Sequence, residues 1–381
     1  MPKIAIIAGE ASGDVLAGGL IRELGKLYPD ARFAGVTGPN MRAGGCESWG
    51  DIEELAVMGL VEVIRHLPRI NRFKRTIKDR LRAEPPDILI GVDAPDFNLG
   101  LEKFARSLGI RTVQYVCPSV WAWRRGRVKT IRAACDHVLC LLPIEPPFLA
   151  DHDIAATFIG HPLADHISGE RDRDQARQSL GLKSERVVAL LPGSRRSEID
   201  RLAPIFLQAA RKIRKEEPAV GFVVAAVSAA FADKIEGLCR ENGMDDSVQV
   251  ETGRTHEVIA AADTALLASG TVALEAMLLQ RPMVVAYKFA PGTYWFMKTF
   301  MFYINRFSLP NVLAGDALVP EFVGRIATPD ALAGAVLGQL RDPGGCNRMV
   351  TRFRELASQI RRSADGRAAA VIAEVLKAKI R

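Results

Sequence analysis

The sequence predicts an α/β protein with two successive parallel sheets that face each other across a cleft, and three observations support this prediction. The 381 residues are too many for one ordinary core and suit two domains of about 150 to 200 residues each. Short β-branched apolar runs alternate with segments of helical period, as in βαβ units. The alternation restarts after a polar, proline-containing segment. We therefore predict a first domain at residues 1–162 and a second at residues 163–354, with a helix at residues 355–381 that packs back on the first.

The predicted elements follow the same order along the chain. In the first domain we predict a strand at residues 4–8, a helix at 16–27, strands at 32–36 and 88–92, a helix at 98–108, and strands at 111–116, 136–142 and 157–159. The five residues 88–92 are all apolar or Gly and lie between prolines at 85, 86 and 95, which indicates a strand buried on both faces. In the second domain we predict strands at residues 186–191, 221–225, 248–251 and 264–268, followed by a mainly helical final third.

The composition narrows the classes of function. The net charge of +7 indicates an anionic partner, which is a nucleic acid, an acidic membrane or a phosphorylated ligand. The six cysteines contain no Cys-x-x-Cys pair, and charged residues follow the first apolar run too soon for a secretory signal, so we expect a cytoplasmic, reduced protein. No uncharged stretch reaches the ~20 residues of a spanning helix. Any membrane contact is therefore expected to be peripheral.

Asp93 is the leading candidate for a catalytic base. It is the first residue past the apolar run at 88–92, and ligands of open α/β sheets gather beyond the carboxyl ends of the strands. Asp96 is the second carboxylate at this exit, and either it or Asn98 is placed to cap the following helix. The alternative for Asp93 is a structural carboxylate that accepts hydrogen bonds from its own loop.

Three other segments of the first domain carry weaker signals. The segment Gly9-Glu10-Ala11-Ser12-Gly13-Asp14 enters a helix and suits phosphate or sugar, although a plain tight turn explains it equally well. The indoles and arginines of residues 117–132 lack any accompanying nucleic-acid motif, so we expect no nucleic-acid partner. Asp151-His152-Asp153 has the chemistry of metal ligands, but its polar connection favours a solvated turn.

The second domain carries two anion-binding patterns at strand exits. Pro192-Gly193-Ser194-Arg195-Arg196-Ser197-Glu198 joins small residues to guanidinium groups ahead of a helix, which suits a diphosphate, although a simple capping loop is the alternative. Ser269-Gly270-Thr271 opens another helix, and Glu275 lies one turn further on, where a carboxylate can accept both hydroxyls of a ribose. Together they predict a nucleoside diphosphate site. Asn311 is a further candidate to donate an amide to sugar or phosphate.

Two apolar or aromatic segments have two interpretations each. Residues 57–71 carry several apolar residues and are followed by a basic run to Arg82, and residues 294–303 are rich in aromatics. Either segment is an ordinary packing surface, or it contacts acyl chains and anionic lipid.

Motifs along the whole chain resemble those of bacterial lipid-A-disaccharide synthases. The matching segments are residues 9–14, 54–59, 93–98, 118–124, 191–195, 269–271 with Glu275, and 308–311. The resemblance implies a GT-B fold, that is, two Rossmann-like lobes with UDP bound in the carboxyl-terminal lobe. One position departs from the family: Gly324 stands where the family usually has Gln, which puts one sugar or phosphate contact in doubt.

The resemblance also implies an inverting glycosyltransferase that transfers 2,3-diacylglucosamine from its UDP derivative to 2,3-diacylglucosamine 1-phosphate, at the cytoplasmic face of the inner membrane. It places Asp93 or Asp96 as the base, with Arg195 assisting the leaving UDP. The implied UDP contacts are Gly193, Ser194, Arg195, Ser269, Gly270, Thr271, Glu275 and Asn311. The implied acceptor contacts are Glu10, Ser12, Asp14, Ser119, Trp121 and Arg124.

We expect no cofactor and no metal, so activity should survive chelation. A UDP-sugar 2-epimerase of the same architecture and a non-catalytic basic membrane-binding protein remain alternatives, and a homo-oligomer stays open.

Overall fold

The computed structural model describes residues 1–55, 60–169, 171–288 and 305–378, and for residues 60–67 it describes the backbone alone. Contacts between Cα atoms divide the chain into two compact units. The first comprises residues 1–165 and 360–381, and the second comprises residues 166–359. The aromatic segment 294–303 and most of the apolar segment 57–71 lie outside the described residues or side chains.

The first unit contains a seven-stranded sheet in the order β3-β2-β1-β4-β5-β6-β7. All neighbouring strands are parallel. The strands are β1 (Lys3–Ala8), β2 (Arg32–Thr37), β3 (Glu47–Asp51), β4 (Ile88–Val92), β5 (Arg111–Tyr115), β6 (His137–Cys140) and β7 (Ala156–Phe158). Every residue of β4 is buried, because helices cover both faces of a parallel sheet.

Seven helices connect or flank these strands among the residues described up to His166. They are α1 (Ala11–Leu27), α2 (Pro39–Ala43), α3 (Leu60–Ala83), α4 (Pro95–Ser107), α5 (Val128–Ala134), α6 (Glu145–Ala150) and α7 (Pro162–His166). Ala368, Ala369 and Ile372 of the last helix belong to the same core as β1 and β4. That helix, residues 364–377, packs against α1.

The second unit contains a six-stranded parallel sheet in the order β10-β9-β8-β11-β12-β13. Its strands are β8 (Arg186–Leu191), β9 (Val220–Ala226), β10 (Val248–Thr252), β11 (Thr264–Ala268), β12 (Met283–Tyr287) and β13 (Glu321–Val323). The helices in the rest of the described chain are α8 (Arg173–Leu180), α9 (Arg196–Glu216), α10 (Ala229–Glu241), α11 (Thr255–Ala261), α12 (Thr271–Leu278), α13 (Leu309–Ala314), α14 (Pro329–Arg341), α15 (Pro343–Ile360) and α16 (Ala364–Lys377).

This architecture confirms the predicted α/β fold with two parallel sheets. Three strands were missing from the prediction: β3, β12 and β13. Within the described ranges, no helix is both long enough and apolar enough to cross a bilayer.

Candidate functional site

Each sheet has one topological switch point, where consecutive connections leave in opposite directions. In the first unit it lies between β1 and β4, and in the second it lies between β8 and β11. Crevices outside the carboxyl ends of strands at such points are the usual ligand sites of open α/β sheets. The predicted site segments 9–14 and 93–98 follow β1 and β4, and the segments 192–198 and 269–275 follow β8 and β11. Each predicted pair is therefore brought together within its own unit.

Asp93 stands at the end of β4 in an unusual backbone conformation. Asp93 and Ala94 have positive φ angles of 54° and 41°, which typically cost about 1 to 3 kcal/mol each and persist only when the surroundings hold them. The Asp93 carbonyl accepts hydrogen bonds from the side-chain amides of Asn98, at 2.9 Å, and Gln114, at 3.2 Å. Its N–H donates to the Tyr115 carbonyl at 2.9 Å. These bonds hold the turn, so the half-buried Asp93 side chain leaves the strand in a defined direction.

The β1 exit lies directly beside this turn. A Cβ atom at Gly9 would stand 2.1 Å from the Cβ of Ala94, so only glycine fits there. Glu10 and Ser12 are exposed at the start of α1. Asp14 is different: its buried carboxylate accepts hydrogen bonds from the N–H groups of Gly38, Asn40 and Met41 and from the Asn40 amide. Both Asp14 oxygens thus hold the start of α2, and the contact of Asp14 with the acceptor stays a prediction.

Asp96 differs from Asp93 in both exposure and partners. Its side chain is 77% exposed and forms ion pairs with Arg124, at 3.6 Å, and with Arg127. The expectation that it caps α4 is wrong: Ala94 is the N-cap residue, and no side chain caps this helix. Asn98 also does not cap α4, because its amide donates to carbonyls of β1 and β4.

The loop after β5 carries the predicted acceptor contacts Ser119, Trp121 and Arg124. Ser119 and Arg124 are exposed, and the Arg124 guanidinium lies 4.5 Å from the centre of the Trp123 ring. The Trp121 indole N–H donates to Glu145 Oε1 at 3.3 Å, and Glu145 Oε2 accepts the N–H groups of residues 141 and 142. Burial raises the pKa of Glu145 to about 7. Glu145, which the sequence analysis missed, therefore ties this loop to the end of β6.

Three ligand-type atoms cluster beside that loop. One atom each from Cys117, Cys140 and Glu145 lie within 4.8 Å of one another. A hydrogen bond with the Cys117 thiol, followed by burial, raises the pKa of Cys140. Both Glu145 oxygens already accept N–H groups, so we assign no metal to this cluster. Asp151-His152-Asp153 is a turn, as expected, in which His152 Nδ1 contacts the Phe148 carbonyl at 2.8 Å.

In the second unit, Glu198 organises the loop after β8. Its Oε2 accepts the N–H groups of Ser194, at 3.2 Å, and Arg195, at 3.3 Å, and its Oε1 lies 3.5 Å from Arg195 Nη1. Gly193 has a φ of 119°, and a Cβ there would lie 2.4 Å from Glu198 Oε2. Glu198 therefore holds this loop as a tight turn at the start of α9, and the Arg195 side chain remains 52% exposed. We call this loop, together with the loop after β11, the donor cradle.

The loop after β11 faces the same edge of the sheet. The Ser269 hydroxyl donates to the Phe307 carbonyl at 3.1 Å, and α12 begins behind Gly270 without a side-chain cap. Its first N–H groups are thus available to an anion. Glu275 Oε2 lies 3.2 Å from His256 Nε2.

These two loops line one cavity of 250 Å³. Seven of the eight predicted UDP contacts line it, together with Glu198; the seven are Gly193, Ser194, Arg195, Ser269, Gly270, Thr271 and Glu275. The N–H groups at the start of α12, the Arg195 guanidinium and the Glu275 carboxylate are the kinds of group that a nucleoside diphosphate requires.

Asn311 is not part of that wall. It is buried, its amide donates to the Val319 carbonyl at 2.9 Å and to Glu321 Oε1 at 2.8 Å, and its Oδ1 accepts the Val319 N–H at 2.8 Å. Every polar atom of its side chain is engaged within the protein, so Asn311 holds α13 to β13. Its contact with the donor stays a prediction. Gly324 follows β13 with a φ of 72°.

Comparison with known proteins places the whole chain in one family. The family model described as Lipid-A-disaccharide synthetase matches residues 4–372. The lipid-A-disaccharide synthase of Xylella fastidiosa strain M12 is 48% identical over 99% of this chain and 98% of its own length. That of Xanthomonas campestris is 46% identical over 98% of this chain and 86% of its own length.

Solved structures of lower identity share the fold. A UDP-GlcNAc 2-epimerase from Neisseria meningitidis aligns with a TM-score of 0.65 at 13% identity, over 98% of this chain and 99% of the epimerase. The glycotransferase of kitacinnamycin aligns with a TM-score of 0.62 at 18% identity, over 98% of this chain and 99% of that enzyme. The shared fold is the two-domain Rossmann-like arrangement of GT-B glycosyltransferases and epimerases. On the family match and these identities, the chain belongs to the lipid-A-disaccharide synthase family.

Proposed function

We propose that this chain transfers 2,3-diacylglucosamine from UDP-2,3-diacylglucosamine to 2,3-diacylglucosamine 1-phosphate, forming a β-1,6-linked disaccharide 1-phosphate and UDP in lipid A biosynthesis. Family membership over nearly the whole chain supports this reaction. The observation that carries the proposal is the cavity at the β8 and β11 exits, which is lined by both Arg195 and Glu275.

We propose that the two predicted domains bind different substrates. Residues 1–162 bind the acceptor, and residues 163–354 bind the UDP-sugar. A related fold has been solved with UDP-GlcNAc bound, which supports a sugar nucleotide as the ligand. Glu10, Ser12, Ser119 and Arg124 remain proposed acceptor contacts, and Trp121 offers its ring face because Glu145 occupies its N–H.

A single displacement accounts for the chemistry. The acceptor 6-hydroxyl oxygen attacks the anomeric carbon, the bond to the diphosphate oxygen breaks, and UDP leaves with the electron pair. Asp93 removes the hydroxyl proton as general base. Arg195 and the first N–H groups of α12 stabilise the charge that gathers on the leaving diphosphate. Because the donor is an α-glycosyl diphosphate and the product is β-linked, one inverting step suffices and no covalent enzyme intermediate is needed.

We further propose peripheral association with the cytoplasmic face of the inner membrane. Both substrates carry acyl chains, and the net charge of +7 favours phosphorylated lipid. Arg72 and Arg75 are exposed on α3. Co-sedimentation with anionic vesicles, at low and high salt, tests this association.

Replacement of Asp93 tests the assignment of the base. Asp93→Asn keeps the size of the side chain but removes its basicity, so we expect turnover to fall by about 10²-fold or more while UDP binding is retained. Steady-state rates and calorimetric UDP titration measure the two effects.

Asp96→Asn is the matched control, since Asp96 lies three residues away and is exposed. We expect it to retain turnover within a fewfold. Near-normal turnover of Asp93→Asn together with a large loss in Asp96→Asn would move the base to Asp96.

A sugar-nucleotide 2-epimerase is the second candidate, because an epimerase shares the fold. An epimerase acts on one bound sugar nucleotide. Incubation with UDP-2,3-diacylglucosamine alone therefore separates the two functions: an epimerised donor would support the second candidate, and an unchanged donor supports the first.

A further inference from the structure

His256 contacts Glu275, a carboxylate that lines the donor cavity. Its Nε2 lies 3.2 Å from Glu275 Oε2, and the side chains are 36% and 18% exposed, respectively. His256 is the second residue of α11, and its neighbour Thr255 lines the cavity. Since an ionised carboxylate only accepts hydrogen bonds, the imidazole must donate from Nε2.

This contact occupies only one of the two carboxylate oxygens of Glu275. Among the residues that the structure describes, His256 is the only hydrogen-bonding or ionic partner of the Glu275 side chain, and that bond occupies one oxygen. The other oxygen stays available toward the cavity. A glutamate has three rotatable side-chain bonds, and immobilising such a side chain on binding typically costs about 0.5 to 1.5 kcal/mol. The His256 bond orders Glu275 before any ligand arrives.

We infer that His256 is a positioning residue that orients Glu275 toward the ribose hydroxyls and thereby sets the preference of this site for ribose over 2′-deoxyribose. The inference rests on the proposed function, in which Glu275 holds the ribose. A carboxylate accepts both hydroxyls of a vicinal diol only when its plane is held in one orientation. A 2′-deoxy sugar offers one hydroxyl and gains less from that orientation.

The experiment measures the dissociation constants of UDP and 2′-deoxy-UDP by calorimetry for the full chain and two variants. His256→Ala should raise the Kd of UDP roughly fivefold, because the hydrogen bond to a charged group is lost, and should change that of 2′-deoxy-UDP by less than twofold. His256→Gln should restore most of the discrimination, because its amide nitrogen can donate at about the same reach. In turnover assays, His256→Ala should raise the KM for the donor and leave kcat nearly unchanged.

A double variant tests whether His256 acts on UDP binding through Glu275. In Glu275→Ala, the further change His256→Ala should leave the UDP Kd unaltered, since no carboxylate remains to be oriented. Equal losses for UDP and 2′-deoxy-UDP, or a full effect in the Glu275→Ala background, would overturn this inference alone. If His256→Ala does not fold, His256→Gln alone tests the inference. Loss of the preference for UDP over 2′-deoxy-UDP in His256→Gln would then overturn the inference. Failure of the unsubstituted chain to bind UDP would overturn the proposed function as well.

Discussion

Glu102 and Glu145 are carboxylates that the first unit buries close to its functional edge. Glu102, in α4, accepts the Cys135 thiol at 3.1 Å. A Cβ on Gly91 of β4 would meet Glu102 Oε1 at 2.2 Å, so a glycine is needed in this strand. Burial raises the pKa of Glu102 to about 8. A buried carboxyl group of this kind stays protonated near neutral pH and makes stability depend on pH.

Replacing Glu102 should change that pH dependence. Folding raises the pKa of Glu102 from 4.5 to about 8. In the window between these two pH values, the folded chain therefore keeps a proton that the unfolded chain has lost. Stability from this group is therefore present at low pH and is lost as pH rises through the window, by up to ~1.4 kcal/mol per pH unit. Glu102→Gln should flatten this slope, as measured by urea unfolding at pH 5, 6, 7 and 8.

Glu241→Gln is the control for this experiment, since Glu241 is an exposed glutamate at the end of α10. It should keep the slope of the unsubstituted chain. If the slope of stability against pH is unchanged in Glu102→Gln, the buried Glu102 carboxyl group is not the source of this pH dependence.

The positions of single residues were predictable where they lie in the segment that follows a central strand. Asp93, Arg195 and Glu275 lie in such segments, and the sheet brings each to a switch point. Asp14 and Asn311 are also polar residues at the starts of helices, but their partners come from residues 38–41 and from Val319 and Glu321, which no local pattern reveals. His256 and Glu145 were missed for the same reason. Glu198 had a local signal, because a glutamate three residues after the helix cap is typical of a capping box.

At the scale of elements, two loops form the donor site, and each leaves a central strand for the start of a helix. The β8 loop depends on Gly193, whose φ of 119° and close approach to Glu198 exclude a side chain. The β11 loop leaves the first N–H groups of α12 uncapped. The geometry of the donor cradle is therefore a property of these two strand-to-helix connections.

Gly193→Ala should disturb the donor cradle. The added Cβ would lie 2.4 Å from Glu198 Oε2 and 2.7 Å from its Cβ, so Glu198 must shift and release the N–H groups of residues 194 and 195. These two hydrogen bonds fix the position of Ser194 and Arg195 beside the cavity, so losing them should displace both residues and weaken UDP binding about tenfold, as measured by calorimetry.

Gly181→Ala provides the matched comparison. Gly181 also has a positive φ, of 67°, but nothing lies within 4 Å of an added Cβ. It should lower the melting temperature through backbone strain and leave UDP affinity unchanged. If both variants leave UDP affinity unchanged, the cradle does not bind the diphosphate.

The elements themselves were predictable to different degrees. The central strands β1, β4, β8 and β11 are continuous apolar runs between turn residues, so the pattern identifies them. The edge strand β3, Glu47–Asp51, has no buried residue, and β13 has three residues, so neither carries a strong signal. The run that forms β12 is apolar, but periodicity alone does not distinguish such a run from a buried helix segment.

At the scale of the whole molecule, two parallel sheets each have one switch point and one set of polar residues beyond it. The first unit holds a base candidate on a strained turn, and the second holds a cradle for a diphosphate. Length and the restart of the βαβ pattern were sufficient to predict this duplication, because each sheet needs its own core. The family match over residues 4–372 agrees with an enzyme that uses both units.

The release of UDP from UDP-2,3-diacylglucosamine, followed with and without 2,3-diacylglucosamine 1-phosphate and in the presence of a chelator, tests the central claim most directly. We predict rapid release that requires the acylated monosaccharide phosphate, yields one disaccharide 1-phosphate per UDP and persists in EDTA. UDP release at the same rate without the acceptor, or no release with both substrates present, would contradict glycosyl transfer to the acylated monosaccharide phosphate.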